Sequence, residues 1–283
     1  MAQTPIIFDR SLLSARRARA AAQGPETFLI DRVAGEMAER LGAVLRRFEL
    51  AADLGTPTDA VRRALAGKVG RIVEVSVDEE ALPFREASLD LAVSGLALQF
   101  VNDLPGVLAQ IRRALKPDGL LLAALIGGES LIELRTAFAE AEAEIEGGVS
   151  PRVAPFVDLR DLGALLQRAG FALPVTDVDR LTVRYASPLA LMHDLRRMGA
   201  TNALVERRRK PLRRATLHRM IEIYADRFAG SDLRVPATFE IIWLSGWAPD
   251  ASQQQPLAPG SAKTRLADAL RTTEILAGEK TGR

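Results

Sequence analysis

Asp53 and Gly55 lie in the stretch AADLGTPTDAVRRALAG, residues 51–67, where an apolar strand pattern passes into a helix. Nucleotide-type cofactors usually bind at such a turn, because it presents backbone N–H groups and a helix N-terminus. Two further glycines, which would let a ligand approach the backbone closely, are replaced by Pro57 and Asp59. The stretch is therefore either a cofactor site or the remains of one.

The replacements weaken a site of this kind and favour a helix start. Proline adds a ring and removes an N–H donor, and an aspartate adds negative charge. Loss of one hydrogen bond to a charged group costs about 1.5–3 kcal/mol. Thr56 is placed to cap the next helix, with Pro57 at its first position and Asp59 three residues after Thr56. This helix is predicted to end near Gly67.

Apolar strand patterns alternate with amphipathic helices along most of the chain, which predicts an α/β fold with a mainly parallel sheet and helices on both faces. Three regions are predicted: an N-terminal helical segment at 1–47, a main domain at 48–249 with a helical, Arg-rich insert at about 188–229, and a mostly disordered tail at 250–283. The strands are predicted at 48–54, 71–77, 89–98, 120–126, 174–185 and 238–246, and the longer helices at 103–115, 129–147 and 158–169.

Several separated motifs carry a family resemblance. DLG followed by VDEEALPFREASLDLAVSGLALQFVNDLPGVLAQIRRALKPDGLLLAAL resembles the class I S-adenosylmethionine-dependent methyltransferases. GGESLIELRTAFAEAEAEIEGGVSPRVAPF, LMHDLRRMGATNAL and VPATFEIIWLSGW resemble one branch, the methyltransferase-like assembly factor of respiratory complex I and its bacterial relatives. The resemblance covers residues 6–248. It implies a Rossmann-like methyltransferase sheet, S-adenosylmethionine as the cofactor and a subunit of the respiratory complex as the partner; in the mitochondrial member it implies hydroxylation of an arginine.

The resemblance also implies a set of site residues at the carboxyl ends of the strands. Asp53 matches the acid of the superfamily turn and Gly55 its first glycine, and Asp78 matches the acid that contacts the adenine. The alternative for the Asp78 segment is a solvated acidic loop. The implied cofactor-binding residues are Asp53, Gly55, Asp78, Glu79, Ser94, Gly95 and Leu98.

The chain departs from the superfamily pattern at three further points. Only 24 positions separate Asp53 from Val77, whereas one strand–helix–strand unit needs about 30 residues. The sheet is therefore predicted to be shortened by about one strand and one helix. Glu74, the only acid of its strand, is either on an exposed face or a ribose ligand. Gln99 precedes Phe100 where the branch has a histidine, and an amide cannot act as a base.

These observations leave two functions open and no catalytic residue assigned. The first is a degenerate, non-catalytic assembly factor for respiratory complex I, which fits Pro57, Asp59, the missing strand and Gln99. The second is an active S-adenosylmethionine-dependent methyltransferase or protein-arginine modifying enzyme. No metal site is predicted. The chain has no cysteine, and its two histidines, His193 and His218, lie 25 residues apart with no adjacent acid pattern except Asp194, which disfavours an iron site of two histidines and one carboxylate.

A basic run in the insert is a candidate docking surface for a partner protein. Aromatic residues for base stacking are absent from it, which disfavours single-stranded nucleic acid as the partner. The alternative is a solvated helix face. The docking residues are Arg207, Arg208, Arg209, Lys210, Arg213 and Arg214.

The N-terminal stretch FDRSLLSARRARAAAQ is typical either of an organelle transit peptide or of a basic amphipathic helix capped by Asp9 or Ser11. The FDR motif belongs to the family pattern and begins at residue 8, which favours the helix and a bacterial cytoplasmic protein. The formal charge of +2 argues little about partners, and no apolar run approaches the roughly 20 residues of a membrane span.

Overall fold

The structure is a computed structural model that describes residues 5–75, 81–254, 261 and 264–273. Its helices are α1 (Arg10–Ala22), α2 (Phe28–Gly42), α3 (Ala60–Ala64), α4 (Leu104–Ala114), α5 (Ile132–Glu146), α6 (Leu159–Arg168), α7 (Pro188–Arg197), α8 (Arg214–Phe228) and α9 (Leu266–Leu270). Its strands are β1 (Phe48–Leu54), β2 (Val69–Val75), β3 (Leu89–Gly95), β4 (Leu115–Ile126), β5 (Ala172–Tyr185) and β6 (Val235–Trp247).

The six strands form one sheet in the order β2-β1-β3-β4-β6-β5. The first four strands are parallel, and β6 pairs antiparallel with both β4 and β5. The predicted Rossmann-like α/β class is therefore confirmed. A single helix, α3, joins β1 to β2, and residues 81–88 before β3 contain neither helix nor strand, which agrees with the predicted shortening.

Helices cover both faces of the sheet because neighbouring strand residues point to opposite sides. Ala51 of β1 belongs to the core cluster that holds Val33 and Met37 of α2. The next residue, Ala52, belongs to a second cluster with Val107 of α4. All of these side chains are buried, so the apolar runs of the sequence form two cores, one on each face.

The N-terminal segment packs against the insert. Asp9 caps α1 by accepting a hydrogen bond from the backbone N–H of Leu12 at 3.0 Å, as one of the two predicted caps. Phe8 forms a β-bridge with Leu204 and an edge-to-face contact with Phe100. These contacts form a small third core at one end of the sheet. The predicted insert consists of α7 and α8 with a non-helical connection between them.

Residues 1–249 form one compact unit and residues 250–283 a second. Within the second unit, where the sequence predicts a mostly disordered tail, the described residues include helix α9. Residues 255–260, 262–263 and 274–283 of the predicted tail lie outside the described residues, so disorder in the tail stays a prediction. No helix in the described ranges is long and apolar enough to cross a membrane.

Candidate functional site

The turn after β1 is tied to the neighbouring strand by its backbone. Gly55 has a φ of +69°, which only glycine adopts without strain. Its N–H donates to the carbonyl of Val75 at the end of β2, at 2.8 Å. The first glycine of the predicted site is therefore needed for the shape of the turn itself.

Asp53 is fully buried at the end of β1, and the chain's own groups occupy its carboxylate. The Thr56 hydroxyl donates to Oδ1, and Arg62 Nη1 lies 2.9 Å from Oδ2. Burial raises the pKa of Asp53 above its ordinary value, and the nearby charge of Glu74 adds to this, while Thr56 and Arg62 oppose it. Both carboxylate oxygens thus have partners within the fold.

Thr56 does not cap the helix, so that prediction was wrong. Helix α3 begins at Ala60, and no side chain caps it from position 59. The Thr56 hydroxyl instead accepts a hydrogen bond from the N–H of Gly95, at 3.0 Å, and donates to Asp53. A contact with another strand therefore outweighs the local capping pattern.

The exit of β3 brings the next predicted residues to the same turn. Ser94 donates to the carbonyl of Leu54 at 2.7 Å and is fully buried. A Cβ added at Gly95 would lie 2.9 Å from Cδ1 of Ile30 and 3.0 Å from Cγ2 of Val61. Leu98 is buried in the core beside α4. The open side of this glycine is therefore covered by α2 and α3.

Asp78 and Glu79, the two remaining predicted residues, lie outside the described residues, so their role in binding stays a prediction. Glu74 of β2 has a side chain 61% exposed and forms an ion pair with Arg62 at 3.2 Å. This placement agrees with an exposed strand face for Glu74, and it puts Arg62 between two carboxylates.

A cavity of about 310 Å³ opens beside this turn, at the carboxyl ends of β1, β3 and β4. This is near the lower limit of small-molecule sites, about 300 Å³. The loop of Pro57, Thr58 and Asp59 forms one wall. Three further segments also line the cavity: α1, α2 and the connection after α7. The sequence did not predict that they take part in the site. Their lining residues are Arg17, Ala20, Leu29, Ile30, Met198, Gly199 and Ala200.

Gln99 is one of the residues that line the cavity, and it carries a buried polar atom. The residue is only 6% exposed, and its Nε2 donates to the carbonyl of Leu96 at 3.0 Å. Its Oε1 is buried with no hydrogen-bond partner within the described residues. Because the Leu96 carbonyl can only accept, the amide nitrogen must face it and the oxygen must stay unpaired. A ligand that donates a hydrogen bond would satisfy this oxygen.

The folded turn does not fit S-adenosylmethionine in the way that the superfamily pattern does. The acid of the pattern is paired with Thr56 and Arg62, and the face of Gly95 is covered by side chains. Pro57 occupies the place of the second glycine and lies on the cavity wall. The cavity has a small volume, and its lining includes the charged side chains of Glu26, Asp59 and Arg197 as well as Gln99.

Comparisons with known proteins identify the family. A methyltransferase-domain family model matches residues 33–123. The chain is 36% identical to arginine-hydroxylase NDUFAF5, mitochondrial, from Danio rerio, over 93% of this chain and 89% of that protein. The chain belongs to the NDUFAF5 arginine-hydroxylase family. The resemblance to a methyltransferase-like assembly factor is confirmed.

The NDUFAF5 family shares its sequence pattern and fold with methyltransferases. The malonyl-[acyl-carrier protein] O-methyltransferase of Laribacter hongkongensis is 42% identical over 66% of this chain and 60% of that protein. The crystal structure of BH2331 from Bacillus halodurans C-125 superposes with a TM-score of 0.50 at 17% identity, over 75% of this chain and 99% of that one. The chain is thus a class I methyltransferase-fold member of the NDUFAF5 family.

Proposed function

We propose that this protein is a non-catalytic assembly factor for respiratory complex I. The observation that carries the proposal is the packing of the turn after β1. Asp53 is paired with Arg62 and Thr56, and Ile30 and Val61 cover Gly95. In such a methyltransferase fold the chain's own side chains fill the cofactor turn. The fold then keeps a surface for binding partner proteins but no longer catalyses methyl transfer.

Calorimetric titration with S-adenosylmethionine tests this proposal directly. We expect no binding heat at millimolar ligand, for the wild-type chain and for Ile30→Ala alike, because Pro57 and the paired Asp53 remain. The Pro57→Gly/Asp59→Gly variant restores the two missing glycines and is the matched control. Binding heat in this variant would show that the rest of the pocket still accepts the ligand. Purification of the wild-type chain with S-adenosylmethionine or its homocysteine product bound would overturn the proposal.

A second candidate function, modification of a protein arginine, is favoured by Gln99. Its unpaired Oε1 suits the N–H groups of a guanidinium, and Asp59 lies on the same cavity wall. The names of the relatives describe arginine hydroxylases. A short arginine peptide is expected to bind roughly tenfold more weakly to Gln99→Leu than to the wild-type chain. Equal binding of the two variants would remove this candidate.

Peptide mass spectrometry of complex I subunits separates the two functions. If the chain modifies arginine, a subunit arginine carries an added oxygen or methyl group in the native strain and not in a deletion strain. If the chain acts only in assembly, deletion lowers NADH–quinone oxidoreductase activity without any such difference in mass.

The basic run of the insert supports docking to an acidic partner protein. Arg207 is paired with Asp9, and Arg208 with Glu146, so both are tied into the fold. The exposed members are Arg209, Lys210, Arg213 and Arg214. We expect Arg209→Glu/Lys210→Glu to lower complex I activity in a complemented deletion strain, whereas Arg71→Glu, an exposed control on β2, leaves it unchanged.

A cytoplasmic location stays a prediction. The Danio rerio relative is named as a mitochondrial protein. In this chain the N-terminal helix that resembles a transit peptide is packed into the fold through Leu13 and Ala20. Fractionation of the native cells, with detection of the intact chain in the soluble or membrane fraction, would test it.

A further inference from the structure

A second cavity, of about 270 Å³, lies beside the first, and the two share a wall formed by Phe100, Leu131, Phe156, Leu195 and Ala200. The residues that line this second cavity carry more positive charge than those that line the first. Four arginines line it, namely Arg16, Arg152, Arg207 and Arg208, and no aspartate or glutamate does so among the residues that the structure describes.

Three of the four arginines are partly neutralised from behind the wall. Arg152 and Arg208 pair with Glu142 and Glu146 of α5. Arg207 pairs with Asp9 at 3.1 Å. These carboxylates hold the guanidinium groups in place without lining the cavity.

Arg16 of α1 is the exception. Its Nη1 donates to the backbone carbonyl of Asn202, and within the described part of the chain it forms no ion pair. Burial lowers the pKa of Arg16, the positive charges of Arg207 and Arg19 lower it further, and the negative charge of Asp9 opposes them. The four guanidinium groups on the lining would stabilise an anion in the cavity.

The rest of the lining is apolar, with Leu134, Phe138, Met192 and Leu212 around the basic wall. The hydroxyl of Thr201, which also lines the cavity, is buried without a hydrogen-bond partner within the described residues. A ligand that suits these walls has an anionic head for the arginines and the hydroxyl, and an apolar body for the remainder.

We propose that this cavity binds a small amphiphilic anion, a carboxylate or a phosphate, with Arg16 and Arg207 holding the anionic oxygens. The site goes beyond the proposed assembly function and does not depend on whether S-adenosylmethionine binds. Because the two cavities share a wall, the apolar body of such a ligand is directed toward the first cavity.

Calorimetric titration of the full chain with octanoate, octyl phosphate and octanol tests the proposal. We expect both anions to bind at least tenfold more tightly than octanol, and added sodium chloride to weaken the anions alone. The tighter of the two anions identifies the head group. Binding of octanol as tight as that of the anions would overturn the proposal.

Arg16→Gln and Arg19→Gln form a matched pair of variants on the same helix. Both lose one positive charge, but Arg19 is exposed and lines neither cavity. We expect Arg16→Gln to weaken anion binding roughly tenfold to hundredfold and Arg19→Gln to leave it nearly unchanged. An equal effect of the two variants would show that the anion is not in this cavity. The salt dependence in the wild-type chain decides the matter if a variant does not fold.

Discussion

Asp53 and Glu142 are both fully buried carboxylates, yet their surroundings shift their pKa values in opposite directions. Burial raises the pKa of Asp53, and its two partners do not offset this. Burial also acts to raise the pKa of Glu142, but hydrogen bonds from Ser150 and Arg152 outweigh it and leave the pKa lowered. Loss of contact with solvent therefore does not by itself set the direction of a pKa shift.

Two things differ: fewer neighbouring atoms surround Glu142 than Asp53, and Glu142 has more hydrogen-bond donors. Glu142 accepts from the N–H of Ser150 at 2.6 Å, from its hydroxyl at 2.8 Å and from Arg152 Nε at 2.7 Å. Asp53 accepts from one hydroxyl and from Arg62, which it shares with Glu74. These hydrogen bonds to Glu142 hold the loop after α5 in place. Asp53 lies at the carboxyl end of β1, does not line the cavity beside the turn, and has fewer hydrogen-bond donors around it.

The largest expected effect comes from breaking the contacts of Glu142. Arg152→Ala removes the nearest cation from the buried Glu142 carboxylate and leaves Arg208, 3.9 Å from its Oε1. We expect a loss of about 3 kcal/mol of unfolding free energy, the lower end for a broken buried ion pair. Urea titration measures this loss. Arg219→Ala is the control, because Arg219 pairs with Glu144, an exposed residue of the helix that also carries Glu142, and breaking an exposed ion pair changes stability little. Similar losses in the two variants would contradict the difference in burial.

A smaller effect is expected where side chains cover the cofactor turn. Gly95→Ala pushes its Cβ against Ile30 and Val61, at a cost of about 1–3 kcal/mol. Adding Ile30→Val removes the nearest atom and should recover part of the loss. Gly35→Ala on α2, where a Cβ meets nothing within 4 Å, should instead stabilise by about 0.5–1 kcal/mol. An unaffected Gly95→Ala variant would mean that this face is open.

Replacing each buried carboxylate with its neutral amide tests whether the two sites differ in their contribution to stability. Asp53→Asn keeps an acceptor for Thr56, and Arg62 keeps Glu74, so we expect a change of less than about 1 kcal/mol. Glu142→Gln replaces an acceptor with an amide that cannot serve all of its donors, so it should cost more than Asp53→Asn in the same urea titration. The reverse order would remove the contrast between the sites.

The pH dependence is the finest test of the comparison. Glu142 has a lowered pKa in the fold, so its contribution is present above its ordinary value of 4.5 and is lost as the pH falls. The advantage of the wild-type chain over Glu142→Gln should therefore shrink in acid. Asp53 has a raised pKa, so its contribution is present below its ordinary value of 3.8 and is lost as the pH rises. Relative to Asp53→Asn, the wild-type chain should gain in acid; parallel profiles would contradict both shifts.

The strands and long helices could be predicted because their apolar periodicity is local. β1 and α4 lie where the pattern predicts them, and the shortening of the sheet was predicted from the spacing between Asp53 and Val77. The partners of Thr56 could not be predicted, because the N–H of Gly95 reaches it from another strand. The pairing of Arg208 with Glu146 also depends on segments far apart in sequence, and the unpaired oxygen of Gln99 is visible only in the folded chain.

Helix α1 contributes Arg17 and Ala20 to one cavity and Arg16 to the other. A recombinant form that begins after this helix would expose both interiors to solvent and lose the cation on which anion binding depends. Affinities measured on such a shortened protein would not apply to the full chain. An N-terminal tag must likewise leave α1 packed against the rest of the fold.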